Sequence, residues 1–128
     1  MTMSDLGAET ARLAGRRILV VEDDYLVGLI LVDLLEDAGA EVVGPIGSVE
    51  EAIAFLKDGV QAFDSAVLDV NLHGRKSYPI ADALTARSVG FVFATGYGGA
   101  GLEDRYQRHP RCEKPFTHAA LVTALAGL

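Results

Sequence analysis

Short apolar runs rich in β-branched residues alternate along the chain with longer segments in which apolar positions recur at helical spacing. The runs predict five strands, at Arg17–Val21, Ala40–Ile46, Ser65–Asp69, Phe91–Ala94 and Arg111–Glu113. The periodic segments predict a helix after each strand, at Tyr25–Ala38, Ser48–Asp58, Ile80–Arg87, Leu102–Gln107 and Thr117–Ala126. Strands and helices that alternate in this way favour an α/β domain, with a parallel sheet covered by helices on both faces.

Composition narrows the class of protein. A chain of 128 residues suits one domain, and its net charge of −7 disfavours nucleic acid as a partner, because phosphate contacts need clustered Lys and Arg. The single cysteine, Cys112, cannot form an internal disulfide, which is typical of the reducing cytoplasm. The longest uncharged apolar stretch, Tyr25–Val32, is too short to span a membrane. We therefore expect a cytoplasmic domain that binds neither nucleic acid nor membrane.

Polar side chains end four of the five predicted strands, at the edge of the sheet where ligands bind in folds of this kind. The first strand is followed by Glu22 and Asp23, and the third ends in Asp69. The fourth and fifth strands are followed by Thr95 and Lys114. The acids would form an oxygen-rich pocket suited to Mg²⁺, which prefers carboxylate, carbonyl and water ligands.

The three consecutive acids Glu22, Asp23 and Asp24 have two interpretations. Neighbouring carboxylates repel one another, so either a solvated turn with an acidic helix cap or a bound cation would explain them. The further acid, hydroxyl and lysine at the same edge favour the cation.

These motifs resemble those of a CheY-like two-component response-regulator receiver domain. The resemblance covers the chain from about Arg16 to Leu128, and its motifs are Val-Glu-Asp-Asp after strand one, Asp69, Thr-Gly after strand four, and Lys-Pro-Phe after strand five. It implies a flavodoxin-like (βα)5 fold with a doubly wound five-stranded parallel sheet in the order 2-1-3-4-5.

The resemblance also implies roles for the residues of the pocket. Asp69 would accept a phosphoryl group from a sensor histidine kinase or a histidine phosphotransferase. Asp23 would bind Mg²⁺ (or Mn²⁺) directly and Glu22 through water, with the backbone carbonyl of Asn71 as a further ligand. The side chains expected to hydrogen-bond the phosphoryl oxygens are Thr95 and Lys114.

Three more residues concern access and switching. Gly96, next to Thr95, would leave the pocket open to a bulky phosphohistidine. Many receivers carry an aromatic residue three positions before the lysine, but this chain has Arg111 there. We therefore expect Thr95, Tyr97 and Arg111 to take part in switching, together with the glycine-rich segment after Thr95. The segment Phe93–Tyr97 resembles the signature of the FATGUY subgroup of single-domain receivers, which is associated with stress-response networks.

The sequence favours a domain without an output module. Residues 1–15 are expected to form a flexible extension, residues 16–128 the receiver domain, and no effector follows Leu128. The expected function is therefore a signalling switch, not an enzyme of metabolism. It would catalyse its own phosphorylation and slow dephosphorylation, and would act through protein contacts or as a phosphate shuttle or sink.

The first predicted helix is more apolar than covering a sheet requires. On a helical wheel, one apolar stripe is predicted to face the sheet, and it consists of Val27, Ile30, Leu31, Leu34 and Ala38. Leu26 and Leu29 fall among acidic residues and should be exposed. They are either scattered surface residues or the edge of a docking patch for the kinase.

Three rival functions were compared with these residues. A phosphatase of the haloacid dehalogenase type would need an Asp at position 71, where this chain has Asn71. A flavin carrier of the flavodoxin type would need a phosphate-binding loop rich in Ser, Thr and Gly after strand one, where acids stand instead. An interaction module that keeps the receiver fold without phosphorylation stays open, and a small phosphodonor with Mg²⁺ would discriminate it.

Overall fold

A five-stranded parallel sheet forms the centre of the molecule. We describe residues 12–58, 62–96 and 102–128 from a computed structural model. The strands are β1 (Arg17–Val21), β2 (Glu41–Ile46), β3 (Ser65–Asp69), β4 (Asn71–Leu72), β5 (Arg75–Lys76), β6 (Gly90–Thr95) and β7 (Arg111–Glu113). The sheet has the order β2-β1-β3-β6-β7, while β4 and β5 form a separate antiparallel hairpin.

In the described part of the chain, four α-helices cover the sheet: α1 (Tyr25–Asp37), α2 (Val49–Lys57), α3 (Tyr78–Ala86) and α4 (His118–Ala126). A single 3-10 turn, Asp104–Tyr106, stands where the sequence predicted a fourth, short helix. Within the described ranges no helix combines the length and the apolar character needed to cross a membrane. The predicted fold class is confirmed, and the predicted strand order holds when the five strands of the sheet are numbered alone.

Side-chain caps begin three of the helices. Asp24 accepts hydrogen bonds from the backbone N–H groups of Leu26 and Val27, at 2.9 and 3.2 Å. Ser48 and Thr117 each accept one from the third residue of the helix that follows, at 3.1 Å. These contacts satisfy N–H groups that have no partner inside a helix, which explains why the elements start where they do.

The core has two layers because both faces of the sheet are covered. The layer beneath α2 and α3 is aromatic, with Phe91 and Phe93 of β6 packed edge to face at 5.3 Å between ring centroids. The layer beneath α1 and α4 is aliphatic and includes Val67 and Val92. Strands buried on both faces are apolar at nearly every position, which is the pattern seen in the sequence.

The hairpin β4–β5 was missed in the sequence. Its two turn residues, His73 and Gly74, have φ angles of 50° and 81°, as a two-residue hairpin turn with both central residues at positive φ requires. Leu72 is buried and fixes the hairpin to the core. The sequence did contain one turn signal, Gly74, between residues of mixed polarity. The two strands of two residues each are too short to show the alternation of polar and apolar positions that identifies a strand.

The buried face of α1 differs from the predicted stripe. Ile30 was expected to cover the sheet, but it is 51% exposed, and the buried positions are Gly28, Leu31 and Leu35. Gly28 is close to Pro45 of β2, where a Cβ atom would lie 3.3 Å from the proline Cγ. α1 thus faces β2 through Gly28, and Ile30 lies outside the buried face.

The packed part of the chain begins before Arg16. Leu13, which the sequence places in the N-terminal extension, is fully buried, and its backbone N–H donates to the carbonyl of Ala38 at 2.9 Å. Arg16, directly before β1, then forms an ion pair at 2.9 Å with Asp64, directly before the neighbouring β3. Residues 1–11 lie outside the described residues.

We expect Gly44→Ala to destabilise the protein by about 3 kcal/mol. Gly44 has φ +98°, and a Cβ atom there would lie 2.7 Å from the backbone oxygen of Val20, so strain and a backbone clash add together. The matched control is Gly15→Ala, since Gly15 has φ +80° but an alanine Cβ there would meet no atom within 4 Å, and it should cost only about 1–2 kcal/mol. Urea unfolding followed by circular dichroism measures both, and equal losses would contradict the expectation.

Candidate functional site

Three carboxylates meet at the carboxyl-terminal edge of the sheet. β1 delivers Glu22 and Asp23, and the adjacent β3 ends in Asp69. One carboxylate oxygen of each residue lies within 4.8 Å of the others. This is close enough for all three to act on one cation, directly or through bound water. The structure therefore brings together the three acids that the sequence singled out.

The three consecutive acids Glu22, Asp23 and Asp24 make different contacts. Asp24 caps α1, as the first interpretation held. Asp23 accepts a hydrogen bond from the backbone N–H of His73 at 2.8 Å, and the imidazole Nδ1 lies 3.4 Å from the same oxygen. Glu22 turns inward and accepts from the backbone N–H of Asp24 at 3.1 Å. The cap interpretation is confirmed for Asp24, and the cation interpretation stays a prediction for Glu22 and Asp23, whose carboxylates lie close enough to that of Asp69 to hold an ion.

Glu22 is the most perturbed acid of the cluster. Its side chain is 1% exposed, and burial, together with repulsion from Asp69, raises its pKa to about 7. A hydrogen bond from the backbone and the nearby ammonium of Lys114 oppose the shift without cancelling it. The carboxyl group is thus held near the point of ionisation at neutral pH.

Lys114 supplies the positive charge of the site. Its Nζ lies 3.1 Å from Asp69 Oδ2 and 3.2 Å from Glu22 Oε2, and only the contact with Asp69 has the geometry of a hydrogen bond. Its backbone N–H donates to the carbonyl of Thr95 at 2.7 Å, which fixes β7 beside β6. Burial works to lower the pKa of Lys114, but Asp69 and Glu22 outweigh it and raise the pKa.

Thr95 and Gly96 border an open space beside Asp69. The Thr95 side chain is buried, and its hydroxyl has no hydrogen-bond partner among the residues that the structure describes. A cavity of about 250 Å³ lies next to it, lined in part by Asp69, Asn71 and Lys114. A Cβ atom at Gly96 would meet no described atom within 4 Å, so Gly96 itself leaves space at this side of the cavity.

Of the three predicted switch residues, the structure describes Thr95, which lines the cavity, and Arg111. Arg111 begins β7, and its Nη1 donates to the carbonyl of Gln107 at 3.1 Å. Tyr97 lies outside the described residues, as does the glycine-rich segment through residue 101. Their proposed part in switching stays a prediction.

An aromatic cluster that the sequence did not reveal lies behind Thr95. Tyr106 packs against Phe93, two residues before Thr95, with ring centroids 5.2 Å apart. Its hydroxyl donates to Asp82 of α3 at 2.6 Å, and the guanidinium of Arg105 binds the same carboxylate at 2.7 Å. Burial and then this hydrogen bond raise the pKa of Tyr106 to about 12, while the bonds from Tyr106 and Arg105 lower the pKa of Asp82. No sequence spacing indicated that these residues would meet.

The surface of α1 beside the acids is apolar. Leu26 is 69% exposed and Leu29 is 44% exposed, as predicted. Leu29 lines a cavity of about 290 Å³ together with Glu22 and Asp23. A larger groove of about 570 Å³ runs past Lys114, with Ile30 on its wall. Apolar surface thus borders the charged site on the α1 side.

Solved structures with this fold include close relatives. SdrG from Sphingomonas melonis Fr1 is 42% identical, with a TM-score of 0.78 over 87% of this chain and 93% of that one. A response regulator receiver protein from Sinorhizobium medicae WSM419 is 29% identical, with a TM-score of 0.75 over 90% and 94% of the two chains. The chain belongs to the response-regulator receiver domains.

Two more distant proteins share the fold or part of the sequence with this chain. The receiver domain of the sensor histidine kinase PA1611 from Pseudomonas aeruginosa PAO1, solved with a magnesium ion in its active-site cleft, shares the fold at 22% identity and a TM-score of 0.73 over 90% of this receiver and all (100%) of that chain. The transcriptional regulatory protein PdtaR of Mycobacterium tuberculosis strain H37Rv is 25% identical over 114 residues, or 86% of this chain. This receiver spans 55% of the length of PdtaR. No protein-family model matches the chain.

We expect Glu22→Gln to stabilise the metal-free receiver at pH 8, by on the order of 1–3 kcal/mol. Folding raises the pKa of Glu22 from 4.5 to about 7, so the folded protein binds this proton more tightly than the unfolded chain does. The resulting contribution to the free energy of unfolding is complete below pH 4.5 and is lost as pH rises through about 7. At pH 8 the wild type therefore carries a buried charge that glutamine lacks, whereas at pH 5 both side chains are neutral.

Urea unfolding in the presence of a chelator, at pH 5 and pH 8, measures this difference. The exposed Glu36→Gln is the matched control and should change stability little at either pH. A Glu22→Gln effect of the same size at both pH values would contradict the assignment of the charge.

Proposed function

We propose that this receiver accepts a phosphoryl group on Asp69, in a reaction that depends on Mg²⁺ or Mn²⁺, from a sensor histidine kinase or a histidine phosphotransferase. The observation that supports this best is the convergence of Asp69, Lys114 and two further acids around an open cavity. A structural ion pair would need neither the extra acids nor the opening.

The residues have separate parts in the proposed transfer. A carboxylate oxygen of Asp69 attacks phosphorus and forms the new P–O bond, while the P–N bond of the phosphohistidine breaks. The electron pair of that bond stays on the imidazole nitrogen, which regains a proton from solvent. The ammonium of Lys114, which lies 3.1 Å from Asp69, would form an ion pair with the incoming phosphoryl oxygens. The Thr95 hydroxyl would donate a hydrogen bond to the same oxygens.

The acids fit a hard divalent cation. Asp23 is half-buried and Glu22 is buried, so a metal ion would offset a repulsion that the metal-free site contains. When bound, the ion would neutralise part of the charge on the transferring group. Direct binding by Asp23, indirect binding by Glu22 and a contribution from the Asn71 carbonyl are part of this proposal.

The proposal also covers how this receiver passes on its signal and the kind of signalling network in which it acts. We propose a cytoplasmic switch that signals by protein contact or passes phosphate on, and that catalyses only its own phosphorylation and slow dephosphorylation. The Phe93–Gly96 segment, with Tyr97 after it, supports a place in the FATGUY subgroup and a part in stress-response signalling. Tyr97 and Arg111 would take part in the switch.

Asp69→Asn should abolish phosphorylation by acetyl phosphate, because it removes the nucleophilic carboxylate while keeping the volume of the side chain. Intact mass spectrometry after incubation with the donor and Mg²⁺ would detect one phosphoryl group on the wild type. It should detect one on the exposed control Asp33→Asn and none on Asp69→Asn. A phosphorylated Asp69→Asn protein would refute the site, and an unmodified wild type would favour an interaction module that works without phosphate.

Leu26→Ser combined with Leu29→Ser should slow phosphotransfer from the cognate kinase by about tenfold or more while leaving acetyl phosphate unaffected. Both side chains are exposed beside the acids, where a kinase must approach to reach Asp69. Leu128→Ser, which alters a 41% exposed leucine, is the control and should leave both reactions unchanged. Equal losses with both donors would indicate damage to the fold, and no loss with either would remove the docking role.

A further inference from the structure

The hairpin β4–β5 grows directly out of the strand that carries Asp69. Asn71 lies opposite Lys76 and Leu72 lies opposite Arg75, and the backbone N–H of Ser77 extends the ladder by donating to the carbonyl of Val70 at 2.9 Å. The hairpin is held at two points. Leu72 is buried in the core, and the turn is fixed by the bond from the His73 N–H to Asp23.

The register of the hairpin assigns its faces. Residues directly opposite each other in an antiparallel pair project to the same side. Val70 and Ser77 are both buried, so the next pair, Asn71 and Lys76, projects to the opposite side, and both of these residues are exposed. Asn71 lines the cavity beside Asp69. Directly opposite residues of an antiparallel pair have Cβ atoms about 5 Å apart, so the Lys76 stem starts beside Asn71 and is long enough to reach the edge of that cavity.

Lys76 differs from the cation next to it. Arg75 forms an ion pair with Glu50 of α2, whereas Lys76 forms none with any residue in the described ranges. Its ammonium group sits on a flexible stem of four carbons, which can follow a ligand. Nothing in the packing of the hairpin requires a lysine at an exposed position.

The charges of the site leave a need for such a cation. Glu22, Asp23 and Asp69 contribute three negative charges when ionised and Lys114 one positive charge, which leaves −2. A divalent ion brings this sum to about zero, and the whole chain carries −7. These groups would therefore give an anionic phosphodonor no net electrostatic attraction to the pocket. One more positive charge at the mouth would make the local net charge positive and would attract the donor.

We propose that Lys76 is a positioning residue that attracts and orients anionic small-molecule phosphodonors of the acyl phosphate class at the mouth of the Asp69 pocket. The proposal rests on the proposed function, since it concerns the same reaction. In that reaction a carboxylate oxygen of Asp69 forms a bond to phosphorus, the bond from phosphorus to the acyl oxygen breaks, and the carboxylate of the donor leaves with the electron pair. Lys76 takes no part in bond making.

The test compares Lys76→Gln with the wild type at low and high ionic strength, using acetyl phosphate and Mg²⁺ and following the initial rate by intact mass. At low ionic strength the rate should fall about 3–10-fold, and the difference should shrink toward none at high salt, because exposed charges are screened. Lys76→Arg keeps the charge and should restore most of the rate. The control Lys57→Gln removes an exposed lysine from α2, near a different cavity, and should react like the wild type.

The outcomes separate this proposal from the proposed function. A wild type that gains no phosphoryl group under any condition overturns both. A wild type that reacts normally while Lys76→Gln matches Lys57→Gln overturns only the part of Lys76. A loss in Lys76→Gln of equal size at both ionic strengths also overturns it, because a change in fold or in direct bonding would not depend on screening. Thermal unfolding midpoints of all variants should agree within a few degrees.

Discussion

Repulsion among carboxylates at the end of the sheet is the constraint on which the rest of the site depends. Glu22 and Asp69 are buried on neighbouring strands, and the ammonium of Lys114 within 3.2 Å of both is the positive charge that joins them. One cation does not balance three acids, and repulsion from Asp69 adds to the effect of burial in raising the pKa of Glu22. A cluster of buried, mutually repelling acids is an example of stability given up at a candidate functional site.

The sequence predicted most of the fold because both faces of the sheet are covered. Strands buried on two sides are uninterrupted apolar runs, so β1 and β3 were found with their observed bounds. The helix signals were local as well, and α2 begins beside Ser48, where the sequence placed the start of that helix. The order of the strands came from the family resemblance, since periodicity alone does not determine which strands are neighbours.

The rest could not be predicted because it depends on contacts between distant segments. Ile30 is exposed, and the buried face of α1 includes Gly28, which approaches Pro45 of β2, a contact that no helical wheel contains. The bond from the His73 N–H to Asp23 joins residues fifty positions apart, and the hairpin that carries His73 is too short for a periodic signal. The predicted site residues nevertheless lie together where the structure describes them, because the carboxyl ends of parallel strands share one edge.

The contacts of Asp82 have a consequence for how this family varies. Its carboxylate accepts from both Tyr106 and Arg105, and it joins α3 to the segment that follows Thr95 and Gly96. Loss of Asp82 alone would leave a tyrosine hydroxyl and a guanidinium without their shared acceptor, so the effects of substitutions at the three positions would not be additive. Related chains should therefore keep Asp82, Arg105 and Tyr106 as a set or replace them together, and covariation among homologues is where this link between α3 and the end of β6 would be visible.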